Sequence, residues 1–293
     1  MQSPARVQAR GCGTSALGQT GLAVRDVAPC ANGAIYNKAY QSLETDPFAH
    51  HPELRSRIAD PENSFFRTFS VDRMIAQFPQ LEEHRDWAFS DAKREALRAE
   101  ALDGHSGDLW VFGYGSLMWD PALRFTTVRR AHLRDHARRM ILVDWRGARG
   151  TADAPGLMAA LDHGPGCHGL VFRIAEADVD RETEILFRRE MIAPGYHARF
   201  VTVDIDEAPA RALAFVADHT VDDIKPELSR AEQIRYIAHG AGFLGTSRDY
   251  LLNIVEHFET LGIHDPECSE LLGAVDAYLE TQDRAASGAE TLR

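Results

Sequence analysis

The stretch Leu109 to Trp119, LWVFGYGSLMW, constrains the fold of this chain more than any other. Four apolar or aromatic residues in a row, Leu109, Trp110, Val111 and Phe112, suit a buried strand, and the glycine, polar and glycine alternation after them ends it abruptly. Glycines at 113 and 115 allow positive φ and a close backbone approach, which leaves the amides of Tyr114, Gly115, Ser116 and Leu117 free to converge on an anion. A tight turn without a ligand satisfies the same spacing.

At 293 residues the chain holds one large domain or two small ones, with apolar content enough for a normal core. Its net charge of −12 offers nothing to attract nucleic acid or an anionic membrane surface, so an anionic substrate needs a local arginine. No apolar run approaches the roughly 18 residues of a membrane span, and the N-terminus lacks the apolar stretch of a secretory signal. A cytoplasmic protein is expected. Cys12, Cys30, Cys167 and Cys268 are scattered and include no CxxC, which reads as reduced thiols rather than a zinc site or a disulfide framework.

Residues 1 to about 45 are rich in Gly, Ala and Ser without periodicity, and are expected to be a disordered leader. Arg6, Arg10 and Arg25 precede its first acid, Asp26, a pattern shared with transit peptides; an extension of no function, or a start codon placed too early, is the preferred reading. Residues 46–105 read as a helical extension that packs on the main domain. Its aromatic and apolar residues (Phe65, Phe66, Phe69, Met74, Ile75, Phe78, Leu81, Trp87) are spaced for short helices broken at Pro61 and Pro79. Ser90 and Asp91 then begin a helix that Gly104 stops. Residues 126–143 suit two strands with charged outer faces, 156–174 a hairpin turning at Gly164, Pro165 and Gly166, and 196–218 two further strands. Asp144 to Ala154 is a loop. A helix over 178–191 interrupts the strands, three helices close the chain, and residues 284–293 form a polar tail. About six strands, one inserted helix and helices massed at the C-terminus make an α+β pattern, a mixed and partly closed sheet or barrel over 106–283.

The inserted helix carries an anomaly. Val179, Thr183, Leu186 and Glu190 follow one another at helical spacing, so an acid occupies the next place on the core-facing stripe. Burial raises a carboxylate's pKa toward the range useful to a general base; a surface pairing with Arg188 or Arg189 is the plainer alternative. The GAGFLG of Gly240 to Gly245 matches GxGxxG in form only, because a helical pattern precedes it where a strand is required. Those glycines end one helix and let the next pack closely. His132 and His136 stand in strand context with no HExxH, and GYGSL is not the GxSxG elbow of a serine hydrolase. No metal site is indicated.

FGYGSLMW, the loop RGTADAPG, the hairpin strand CHGLVFRI, the acidic RREM with GY beyond it, and GFLGTSRDYLLNIVEHFETLGIHD together resemble the ChaC family of γ-glutamylcyclotransferases in order and spacing. The resemblance spans about Leu109 to Glu280 and leaves the N-terminal third outside. It implies a mixed β-barrel flanked by helices, and release of 5-oxoproline and cysteinylglycine from glutathione without a metal or organic cofactor. It places the glycine-rich substrate loop on Val111, Phe112, Gly113, Tyr114, Gly115, Ser116 and Leu117 and the catalytic acid on Glu190. Tyr196 matches an aromatic that follows the family's glycine. Arg149 is a candidate for the substrate's glycine carboxylate, and loop exposure is the alternative reading. Where many relatives carry two glycines shortly before that tyrosine, this chain has Ala193, Pro194 and Gly195, which bears on the leaving-group pocket more than on the reaction. A cyclotransferase for another γ-glutamyl peptide or amine, or a regulatory binding protein on the same fold, are the alternatives. The partner expected is a small molecule, with no nucleic acid and no membrane.

Overall fold

The computed structural model describes residues 46–290, with side chains as far as residue 285. The expectation for residues 1–45, with Cys12 and Cys30, lies outside them.

Residues 46–105 form short turns that prolines initiate at Pro52, Pro61 and Pro79, a helix α1 (Val71–Gln77) and a longer helix α2 (Asp91–Ala101). Proline suits these starts because its missing N–H would be unpaired there in any case. Ser70 and Ser90 cap the two helices by accepting from the amides of Arg73 and Lys93, and Gly104 at φ 69° follows α2.

The remainder is built on a seven-stranded sheet: β1 (Leu109–Gly113), β2 (Thr127–Leu133), β3 (His136–Asp144), β4 (Gly156–His163), β5 (Cys167–Ile174), β6 (Tyr196–Ile205) and β7 (Ala208–Ala217). In the order β1-β5-β2-β6-β7 the sheet returns on itself, because β1 also pairs with β7 in parallel at Val111 and Leu213. Those five strands close a barrel. The β3–β4 hairpin hangs from the same edge of β7 through Leu161 and Val216. This is the α+β mixed barrel expected, and closure removes the open edges that would otherwise invite pairing.

Helix α3 (Val179–Glu190) buries Leu186 and Phe187 against Val111, Leu213 and Phe215 in one core cluster. The closing helices are α4 (Arg230–His239), α5 (Ser247–Thr260) and α6 (Pro266–Glu290). A capping box of Ser229 and Glu232 starts α4, and Thr246 caps α5. From α5, Leu251, Ile254, Val255 and Phe258 enter the main core, each worth about 1.5–3 kcal/mol of burial. Two details differ from the sequence reading. The outer faces of β2 and β3 are not uniformly charged, since Arg138 turns inward to Asp265 and lies 4.3 Å over the Phe258 ring. Helix α6 also continues to Glu290, past the expected start of the tail.

Candidate active site

Where β1 ends, the chain enters a short turn over Ser116–Met118 whose bonds run from the amides of Met118, Trp119 and Asp120 to the carbonyls of Gly115 and Ser116. The amides of Gly115, Ser116 and Leu117 precede those donors and are not used in the turn. Neither Gly113 nor Gly115 takes positive φ, contrary to the sequence reading. Their need is space. A side-chain carbon at Gly113 would press on Leu117 and Phe172 at 3.0 and 3.3 Å, and one at Gly115 would strike the Tyr250 hydroxyl.

This turn borders a cavity of about 190 Å³. Tyr114, Gly115, Ser116 and Leu117 line one part of it, Glu190 and Tyr196 another, and the segment Ile192 to Gly195 runs between those two. Val111, Phe112 and Gly113 belong to the strand that carries the turn there; Val111 and Phe112 are fully buried in core clusters.

Glu190 ends α3 with its side chain 15 % exposed and its Oε1 2.9 Å from Arg189 Nε. Burial raises the Glu190 pKa above its ordinary value, and the Arg189 charge and hydrogen bond oppose that rise without cancelling it. Arg189 is itself buried. It donates to Ser116 Oγ at 2.8 Å and to the Asp120 carbonyl, so the catalytic candidate and the glycine turn share one guanidinium. Both the burial expected from the stripe and the pairing with Arg189 occur at once.

Three tyrosines line the same cavity as the carboxylate. Tyr114 donates to the Phe215 carbonyl at 3.0 Å, while the Tyr250 hydroxyl accepts from the Ala159 amide at 3.3 Å. Burial lifts all three phenols, Tyr250 to about 12, so they stay protonated donors at neutral pH. Tyr250 escaped the sequence reading although its signal was present: it stands one turn before Ile254 on the apolar stripe of α5, a hydroxyl aimed at the core.

Arg149 is buried, not exposed, and stands behind Tyr250 rather than on the cavity wall. Its guanidinium carbon is 5.0 Å from that ring and its Nη1 donates to the Thr246 carbonyl at 3.1 Å. Burial lowers its pKa from the ordinary value. Asp144 fixes the loop by accepting from the amides of Arg146, Arg149 and Gly150. That arrangement instead puts Arg146 on the cavity wall, paired with Asp223 at 2.6 Å. The GAGFLG glycines serve the same loop. Ala241–Gly242 and Gly245–Thr246 form a small hairpin, β8 and β9, whose Phe243 and Leu244 amides each donate at 2.9 Å to Gly147 and Ala148. Only glycine fits at 242, where a side chain would meet the Gly147 carbonyl. Among the described residues, no group of three or more His, Cys, Asp or Glu is placed to hold a metal.

Comparison with known proteins agrees with this geometry. The family model for ChaC-like protein matches residues 109–278. The glutathione-specific gamma-glutamylcyclotransferase of Escherichia coli strain K12 is 33% identical over 204 residues, which cover 69% of this chain and 87% of that protein. The Homo sapiens glutathione-specific gamma-glutamylcyclotransferase 1 is 30% identical over 190 residues, covering 60% and 82%. A crystal structure of a selenomethionine-labelled gamma-glutamyl cyclotransferase specific to glutathione from yeast superposes with a TM-score of 0.54 at 20% identity, over 59% of this chain and 97% of that one, and so shares the fold. The barrel, the turn after β1 and the extent of these matches lead to one conclusion: this chain belongs to the ChaC-like protein family.

Proposed function

We propose that this protein is a γ-glutamylcyclotransferase that cleaves glutathione to 5-oxoproline and cysteinylglycine, with Glu190 as the general base and acid. The observation that carries the reading is a buried carboxylate with a raised pKa, set on the wall of the cavity that the Tyr114–Leu117 turn borders. The glutathione-specific names of the relatives support the substrate.

The substrate's geometry sets what the protein must do. A γ-glutamyl α-amine reaches its own γ-carbonyl in a five-membered ring, so the chain has to fold the substrate, move protons and stabilise an oxyanion. Glu190 takes a proton from the α-ammonium. The amine nitrogen then bonds to the γ-carbonyl carbon, the protonated Glu190 gives its proton to the cysteinyl nitrogen as the bond from that carbon breaks, and the regenerated carboxylate takes the second proton from the ring nitrogen and passes it to the released amine, which leaves as an ammonium. No water is consumed. Holding the reacting atoms near 3–3.5 Å removes much of the entropic barrier. The unspent amides of Gly115, Ser116 and Leu117 serve the α-carboxylate or the developing oxyanion, with the Tyr196 and Tyr250 phenols as further donors. Arg149, behind Tyr250, adds positive potential to that end of the cavity. Cys167 and Cys268 are both free thiols, which fits a reducing, cytoplasmic setting.

Ala193, Pro194 and Gly195 line the cavity where they flank Glu190, and that stiff segment keeps a second reading in view, a γ-glutamyl peptide other than glutathione. Competition decides between them. With glutathione, γ-glutamylcysteine and γ-glutamylalanine supplied together, 5-oxoproline is expected to arise chiefly from glutathione. Preferred consumption of either dipeptide would replace glutathione as the substrate.

A further inference from the structure

Residues 46–105 precede the part of the chain that the family model matches, and the reaction derived above uses none of them. They nevertheless reach the cavity. Its wall carries two arginines, Arg146 and Arg189, and this segment covers a face of each: the Arg146 guanidinium lies 4.3 Å from the Trp87 ring centre and that of Arg189 4.2 Å from the Phe66 ring centre. Trp87 and Phe66 both line the cavity themselves.

The position of Phe66 is built. Ser64 caps the turn Phe65–Thr68 by accepting from the Phe66 amide at 3.1 Å. The next residue, Arg67, is buried and forks onto Glu182 of α3, which has no exposure at all. Glu182 stands about two turns before Arg189 on the same face of that helix, so the anchor that fixes Arg67 also sets the Phe66 ring over Arg189. Arg189 then passes the constraint on, through Glu190 Oε1 at 2.9 Å and Ser116 Oγ at 2.8 Å.

We propose that residues 46–105 complete the catalytic site, and that Phe66 is a positioning residue whose ring face holds Arg189 in the orientation that fixes Glu190 and Ser116. The proposal rests on Glu190 being the acid–base group. The ionisable groups that share the cavity wall with Glu190 are Arg189 on its own helix, Tyr114 beyond β1, Tyr196 at the start of β6, Tyr250 on α5, and Asp144, Arg146 and Asp223, of which Arg189 is the one that bears on its charge. The tyrosines are neutral, so the position of Arg189 governs how far burial raises the carboxylate's pKa.

The test is a cycle on the full chain: Phe66→Leu, Phe66→Tyr, Arg189→Lys and the Phe66→Leu/Arg189→Lys double variant, with Glu190→Gln alongside. Each is measured for kcat, KM, melting temperature and kcat/KM between about pH 5 and 9. Phe66→Leu keeps the apolar bulk and loses the aromatic face. It should lower kcat by about tenfold, the scale of a desolvated cation–π contact, with KM within about twofold. Its acid limb should move to higher pH, because a loosened Arg189 no longer holds the carboxylate down. Phe66→Tyr should restore rate and profile, and the double variant should be no worse than Arg189→Lys alone. Phe66→Met carries the same expectation if the leucine variant does not fold. A wild-type profile in Phe66→Leu, additive losses in the cycle, or an equal loss in Phe66→Leu and Phe66→Tyr at every pH would overturn the proposal. If Glu190→Gln keeps full turnover, the acid–base reading itself falls; if only the Phe66 variants behave as wild type, that reading stands and the positioning role is lost.

Discussion

In the proposed reaction the chemistry turns on Glu190, and its environment fixes two predictions. Its folded-state pKa lies above the ordinary value of 4.5 even with Arg189 bonded to it, so in this site the neutral form is favoured relative to the unfolded chain. The sign follows. The folded state holds its proton to higher pH than the unfolded state, so Glu190 weakens stability as pH rises from 4.5 through the folded pKa, and the deficit is complete above it. Glu190→Gln imitates the protonated form. It should lower turnover by about 10²- to 10⁴-fold while the melting temperature holds or rises, with the difference from wild type growing as pH rises. A variant that melts lower and stays active would assign Glu190 to structure alone. The acid limb of kcat/KM should likewise fall above 4.5; a limb at or below that value would contradict the burial argument.

The same residue shows what a single sequence makes legible at this scale. An acid on an apolar helical stripe is visible without any contact being known, and Tyr250 carried the same kind of signal on α5. Arg149 did not. A loop arginine looks solvent-exposed until Asp144 is seen to gather three amides and turn the loop inward, a contact with no periodicity to betray it.

At the scale of elements, α3 is held by an ion pair as much as by its apolar face. Glu182 accepts two bonds from Arg67 and one from the Arg124 amide at 2.9 Å. Glu182→Ala would leave the buried Arg67 with only the more exposed Glu62, 3.7 Å away, as a counter-ion, and breaking a buried pair in this way costs about 3–5 kcal/mol. Thermal melting should show a marked drop; a change under about 1 kcal/mol would show that water or another acid replaces the partner. Strands, helices and caps were readable here because Ser90, Ser229 and the 3.6-residue stripes act locally. The pairing of Arg67 with Glu182 crosses more than a hundred residues of sequence, and nothing local encodes it.

The whole molecule depends on contacts of that long-range kind. A strand-rich α+β pattern was legible, but the barrel closes through Val111 and Leu213, a pairing no alternation of residues announces. The aromatics of residues 46–105 were readable as packing residues, while their place at the cavity depends on which surface they meet. Removing residues 1–45 should leave folding and turnover nearly intact, since that stretch lacks apolar periodicity. Removing residues 1–105 should not, because Leu54 and Ile58 enter the main core and Arg67 anchors α3. Soluble, active protein from the longer truncation, or inactive protein from the shorter one, would move the boundary. What the site as a whole does is tested most directly by following glutathione turnover in ¹⁸O-labelled water by mass spectrometry. Intramolecular cyclisation predicts 5-oxoproline and cysteinylglycine in equal amounts, with no label in the 5-oxoproline; labelled glutamate in its place would show hydrolysis and contradict the mechanism.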